Sequence, residues 1–507
     1  MPAGSESALP PGVKPFHEAA SRPTLPRFAW AALAAAILFG LFSVARESLV
    51  PHDADFERAR WRLTGDEPAY LLTAQALASG DGEDVSRVHA AQSYTNFQHK
   101  IVIGRRQWTY DDYTNRCRVR FLLDRREAWG DAQILHGGPL EPLFAAPFAL
   151  SQERPRWKIL FAQGAFAAFV AALLVWFAPG GARAAPYAAA TCIAFLAGAP
   201  VVWYTAQIYP EILIGALLAL SLLLSRRRET ALRTIGYVCL FLPLWGSSRI
   251  VAAVAAAVAV HAVVAIRRRR WIDLTILAAG FAAYFGYHLW RWGNFFPPNT
   301  DLNSPITSAL IPRGFLRYYF GNSVGLLMLA PVAWTGLLCL GLLLRRPGRD
   351  PAILPSAALA LGISLSVAAF PAFRGGTCPA GRYQVAEAFV LAVPVLLFLH
   401  LEPAGSRWRR RVLFLLASLG AVTISLGAWL AANPAWWFER YHPAFRHPRL
   451  QPHYGWLPDF DGRWFAPLAF WLALFLAATF AADLLRLANP SRRPIDTPAG
   501  DGHTSTP

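Results

Sequence analysis

Charge is scarce in this chain: 16% of its 507 residues are Asp, Glu, Lys or Arg, against 55% hydrophobic residues and a mean hydropathy of +0.32. That shortage excludes a soluble multidomain protein of this length, which would carry about a quarter charged residues. Other absences narrow the chemistry. The sequence holds no Walker A motif, no HExxH, no CxxC and no GxSxG, so nucleotide hydrolysis, zinc proteolysis and serine hydrolysis have no support. No apolar run carries a charged residue near its middle, which argues against proton- or sodium-coupled transport. No internal repeat is apparent, which weakens an inverted-repeat transporter further. Cysteine is rare, with five in all. Cys192, Cys239 and Cys339 fall in apolar runs and read as small buried residues. Cys117 and Cys378 fall on one side of the membrane, where a disulfide is allowed but not required.

What the chain has in abundance is long apolar runs. Crossing about 30 Å of hydrocarbon takes about 17 to 23 helical residues. Runs of this kind occur near 28–45, 158–178, 185–203, 208–225, 232–248, 250–266, 272–290, 322–344, 352–371, 385–401, 411–431 and 464–486. Twelve runs predict an all-α polytopic membrane protein of about 12 transmembrane helices. The connections within 185–225 and 232–266 are so short that one member of either pair is open to a re-entrant reading.

Arginine placement orients the chain. Every second connection, from Arg183 through Arg226–Arg228 and Arg233, Arg267–Arg270, Arg345, Arg346 and Arg349 to Arg407 and Arg409–Arg411, holds sixteen basic residues in short loops, and the tails add more to the same side. The positive-inside rule puts both termini in the cytoplasm. Residues 1–27 and 487–507 read as disordered cytoplasmic tails flanking a membrane domain at 28–486. The first run starts late, with no convincing cleavage site before Arg46, and is expected to remain as a span. The net charge of +17 suggests a nucleic-acid partner, but the long loop 46–157 holds 15 Arg and Lys against 16 Asp and Glu. The surplus lies in the membrane-flanking clusters, where it means topology and contact with anionic lipids. No nucleic-acid partner is expected.

Loop 46–157 is far longer than a connection needs, and loops of that size usually carry function. Its GDEPAY stretch holds Asp66 and Glu67 just beyond the first run. Asp66–Ser79 has helical spacing, with Tyr70, Ala74 and Leu77 on one face and Gly80 just past the end. Thr64 and Glu67 fit a capping box, so the acidic pair is open to two readings: a helix cap, or a base mounted rigidly at the bilayer surface. The two are compatible. Asp111 and Asp112, in WTYDDY, are candidates for binding sugar hydroxyls or mark a solvated turn; the turn is favoured. Residues 137–150, around Glu141, are expected to lie along the interface. Glu211 in IYPEIL, Arg249 in GSSRI and Arg382 in FRGGTCPAGRYQ lie near membrane ends on the same outer side. Arg382 follows Gly375, Gly376 and Gly381, which let backbone approach a ligand closely. Its planar fork can grip a phosphate, or it can snorkel to headgroups. His442, His447 and His453 have no metal-ligand spacing.

Four stretches in order, GDEPAYLLTAQALASGDGED, HGGPLEPLFAAPFAL, QIYPE and FRGGTCPAGRY, make the chain resemble the GT-C superfamily of polytopic glycosyltransferases, which includes protein mannosyltransferases and lipid A aminoarabinose transferases. The resemblance implies transfer of a hexose or pentose from a polyprenyl-phosphate carrier to a glycan, lipid or protein acceptor at the extracytoplasmic face of the cell (inner) membrane. Carried onto this chain, it makes Asp66 the candidate base, Glu67 its catalytic neighbour and Arg382 the phosphate ligand, with Tyr70, Arg249, Glu211, Asp111 and Asp112 as substrate-binding candidates. No cofactor and no obligatory metal are expected, because the leaving group is already a lipid phosphate. A lipid-linked-sugar flippase and a noncatalytic polytopic subunit are the rival readings.

Overall fold

A computed structural model describes residues 25–48, 67–82, 85, 87–88, 100–103, 106–109, 139–149, 155–178, 181–205, 207–293, 295, 311–321, 325–346, 350, 352–369, 382–432 and 465–488. Its main helices are α1 (Leu25–Ser48), α2 (Glu67–Ala78), α3 (Leu140–Ala149), α4 (Pro155–Phe177), α5 (Gly181–Leu196), α6 (Glu211–Leu224), α7 (Thr230–Phe241) and α8 (Val251–Arg267). They continue with α9 (Trp271–Trp292), α10 (Ile311–Phe320), α11 (Ala333–Leu344), α12 (Ile353–Ala368), α13 (Gln384–Leu401), α14 (Arg407–Ala432) and α15 (Phe465–Ala488). The expectation of an all-α protein needs one amendment. A two-stranded antiparallel hairpin, β1 (Lys100–Ile103) and β2 (Arg106–Thr109), sits in the first long loop with Ile101 opposite Trp108.

The chain is a helical polytopic membrane protein. Among the described residues, five helices are long and apolar enough to cross a membrane: Trp157–Phe177, Ser248–Arg267, Trp271–Trp290, Gln384–Leu401 and Arg407–Trp429. Shorter apolar helices account for the other seven runs. Two runs expected as single spans are interrupted, each at a proline, which supplies no backbone N–H. The 322–344 run is a short helix, Leu326–Leu329, then Pro331, then α11. Val332 N–H beside this break donates to Thr423 Oγ1 at 3.0 Å. The 185–203 run breaks before Pro200, and Trp203 Nε1 donates across to Gly427 O at 3.3 Å. Irregular backbone inside an apolar protein persists where neighbouring groups satisfy it, as here.

The innermost element is α13, buried along nearly its whole length against α5, α6, α11 and α12. Gly215 on α6 makes one of these contacts possible. A Cβ there would lie 2.6 Å from the Phe389 ring and 2.9 Å from Ala386 Cα, and small residues are what let helices in lipid approach so closely. Gly215→Ala is therefore expected to cost about 1–3 kcal/mol by overpacking, seen as a lower melting temperature of the detergent-solubilised protein. Unchanged melting would show that α6 and α13 have room to part.

The end of the bundle that arginine placement directs to the cytoplasm is tied by ion pairs. Arg233 donates from Nε and Nη2 to Asp273 at 3.1–3.3 Å, and Tyr237 OH donates to Asp273 Oδ2 at 3.2 Å, joining α7 to α9. Arg226 pairs with Asp350, and Arg346 with Glu402. The sequence assigned these basic residues to lipid contact. The structure corrects that for Arg226, half-buried, and Arg233, buried, both of which pair with carboxylates, while Arg267, Arg268 and Arg269 remain exposed.

Candidate functional site

At the opposite end of the bundle, three helices begin beside one another: α6 with Glu211 in its first turn, α8 just after Arg249, and α13 just after Arg382 and Tyr383. Helix N-termini carry partial positive charge from unpaired N–H groups. Two guanidiniums at the same place add to that positive charge, and Glu211 offsets part of it.

Arg382 is buried, and its Nε donates to Glu211 Oε1 at 2.5 Å. Its Nη2 donates to Tyr70 OH at 3.3 Å, which ties α2 of the long first loop to α13. The guanidinium carbon lies 4.2 Å from the centre of the Tyr209 ring and 5.6 Å from that of Tyr383. On the other face of the cluster, Arg249 donates to Tyr383 OH, with its guanidinium 4.6 Å from the same ring. Tyr383 thus lies between two cations, an arrangement that favours planar Arg over Lys. Gln163 on α4 holds the turn before α6 by donating to Tyr204 O at 3.2 Å and Tyr209 O at 3.3 Å. Tyr209 in turn meets Tyr70 edge to face at 6.0 Å.

A cavity of about 20 Å³ opens beside this cluster, lined by Glu211, Ser247, Arg249, Ser366 and Tyr383 among others. It holds about one water.

No family model matches the chain, and neither does any curated protein sequence. Among solved structures, the crystal structure of ArnT from Cupriavidus metallidurans bound to undecaprenyl phosphate is similar at 11% identity and a TM-score of 0.41, over 91% of this chain and 78% of that one. A likeness so faint assigns no residue a role.

Of the residues singled out in the sequence, the structure brings Tyr70, Glu211, Arg249 and Arg382 together. Glu67 opens α2, eleven residues before its last, Ala78. Asp66, Asp111, Asp112, Cys117, Cys378, His442, His447 and His453 lie outside the described residues. Helix α2 ends as its sequence implies: Gly80 has φ +85°, and Asp81 N–H reaches back to Ala76 O at 2.9 Å. Its burial is broader than one face, since Leu71, Leu72 and Ala76 are buried along with Tyr70 and Ala74. Helix α3 packs on α2 with Glu141 fully buried in its first turn.

Sequence reasoning missed Tyr209, Tyr383 and Gln163, which arrange the arginines. It also missed Glu387, fully buried one turn into α13 and accepting from Tyr319 OH at 2.7 Å. Burial, and then the Glu387 carboxylate, hold the Tyr318 and Tyr319 phenols well above their ordinary pKa, so both stay protonated donors. A glutamate so near the start of an apolar run was the available signal.

Proposed function

We propose that this chain is a membrane glycosyltransferase that moves a sugar from a polyprenyl-phosphate carrier to an acceptor hydroxyl at the extracytoplasmic face. The observation that carries the reading is the pair Arg249 and Arg382 flanking Tyr383 at the start of three helices. A phosphate leaving group needs preorganised positive charge where its own negative charge develops, in a site shielded from water. In this reaction the bond between the anomeric carbon and the phosphate oxygen breaks, the acceptor oxygen bonds to that carbon, and the acceptor proton passes to a carboxylate. The two guanidiniums take the phosphate, and Glu211 orients Arg382 for it.

Asp66 is the base in this reading. It is four residues from Tyr70, whose hydroxyl is on Arg382, so the chain can carry it no farther than about 14 Å from the Tyr70 Cα. A neighbouring carboxylate, Glu67, raises the proton affinity of the pair, because two close carboxylates resist joint ionisation.

Asp66→Asn is expected to abolish transfer while expression and membrane insertion stay normal. The check is turnover of a polyprenyl-phosphate sugar by the purified protein in detergent. Wild-type rates in that variant would remove Asp66 from the reaction. Consumption of the donor without a second compartment also separates a transferase from a flippase, which performs no chemistry.

A further inference from the structure

A second polar cluster lies on α9 and meets, at Trp245, the segment that leads into the cavity wall. That helix leaves the Arg233–Asp273 end of the bundle at Trp271, and fifteen residues, or about 22 Å of helix, carry it from Asp273 to His288 at the end where Arg249 and Arg382 sit. Tyr284 and His288, at i and i+4, share the face turned into the protein: Tyr284 is 0% and His288 1% exposed. Their rings meet edge to face at 4.5 Å. Trp245 meets Tyr284 at 5.6 Å and Tyr287 at 6.5 Å, and Tyr287 meets His288 at 5.1 Å. Trp245 ends the turn that leads directly into Ser247 and Arg249, which line the cavity.

Three buried polar atoms in this enclosure, Tyr284 OH and both ring nitrogens of His288, have no hydrogen-bond partner among the described residues. Burying such groups unsatisfied costs on the order of 1–3 kcal/mol each, and native proteins leave few of them. Three in one aromatic enclosure call for partners from water or from a ligand.

We infer that Tyr284, His288, Trp245 and Tyr287 form a subsite for a sugar ring. A neutral imidazole offers one donor and one acceptor, and a phenol offers both. Groups that donate and accept equally match sugar hydroxyls, which do the same. An anion is better served by Arg249 and Arg382, and a cation by a carboxylate. The flat apolar C–H faces of a sugar ring suit the walls of Trp245 and Tyr287, since binding pockets pair aromatic walls with a few placed polar groups. The subsite rests on the transferase reading and deepens it by giving the sugar a seat at the same end of the bundle as the two arginines.

The test is a binding titration of the full chain in nanodiscs, with citronellyl phosphate and with the same lipid phosphate carrying glucose, mannose or arabinose. The wild type should bind at least one sugar-bearing form more tightly than the bare phosphate. Tyr284→Phe keeps the ring and removes only the unpartnered hydroxyl, so it should fold and bind the bare phosphate normally; His288→Phe removes both unpartnered nitrogens and adds some volume, so its fold is checked by melting temperature beside its binding of the bare phosphate. Each should reduce the sugar preference about 5- to 10-fold, the value of one or two hydrogen bonds. Variants that keep the wild-type preference overturn the subsite and leave the transferase reading standing, as does a wild type that binds only the phosphate. If no lipid phosphate binds, the transferase reading falls, and methyl glycosides of the same sugars decide the subsite alone. Wild-type binding of these that His288→Phe abolishes supports it; no binding, or equal binding by the variant, overturns it. A preference confined to methyl glycosides, and lost in both variants, supports the subsite and assigns it to the acceptor sugar.

Discussion

Arg382→Ala should cut sugar transfer by roughly 10²-fold or more, because it removes a preorganised donor from the place where leaving-group charge develops. The loss should appear as weaker donor binding and as slower turnover, because the phosphate carries charge before the bond breaks and more after it. Arg382 is also half of an ion pair whose other member, Glu211, is 4% exposed. Removing one partner leaves a buried, uncompensated carboxylate, which costs about 3–5 kcal/mol or takes up a proton instead. A lost fold and a lost reaction would therefore look alike in the single variant. Glu211→Gln combined with Arg382→Ala distinguishes them: the neutral pair should recover most of the melting temperature and none of the transfer. Arg382→Lys should hold the charge yet lose the planar stacking on Tyr209, leaving activity well below wild type. Normal donor affinity and turnover in a folded double variant would take Arg382 out of the mechanism.

The other large effect concerns stability at the far end of the bundle. Asp273 is 1% exposed and is the acceptor for both Arg233 and Tyr237. Asp273→Ala should destabilise the protein by about 3–5 kcal/mol, because Arg233 would remain buried without its counter-charge. Replacing both residues at once, Arg233→Met with Asp273→Leu, should return much of that loss, since apolar side chains of similar volume avoid desolvating two charges. Melting temperatures of the wild type, Asp273→Ala and the double variant provide the comparison. A double variant no more stable than Asp273→Ala would show that the pair does more than neutralise itself. Transfer rates of the variants that fold should be near wild type, because this pair lies at the opposite end of the bundle from Arg382.

Much of the membrane architecture was legible because hydrocarbon imposes a length on apolar runs, and each of the twelve runs does contain helix. What periodicity could not show was where Pro331 and Pro200 interrupt two of them, since the decisive partners, Thr423 and Gly427, come from a helix more than 90 residues away in sequence. The site was legible in part for the same reason. Glu211, Arg249 and Arg382 stood out as charges at the ends of apolar runs, and charge beside lipid needs a cause. Tyr209 and Tyr383 did not, because tyrosines belong at any membrane interface. Only the fold, which joins Tyr70 to Arg382 across 312 residues and Glu211 to Arg382 across 171, shows which aromatics are stacked on guanidiniums.

The carboxylate of Glu211 already rests on Arg382, and this has a consequence for selectivity. Phospholipid phosphates are abundant at any bilayer surface, and a bare guanidinium there attracts them. A resident internal anion sets a threshold that an ordinary headgroup, offering phosphate alone, should fail to cross. An entrant that brings further contacts of its own is therefore favoured over one that offers phosphate alone, and it shares Arg382 with the carboxylate that holds it in place.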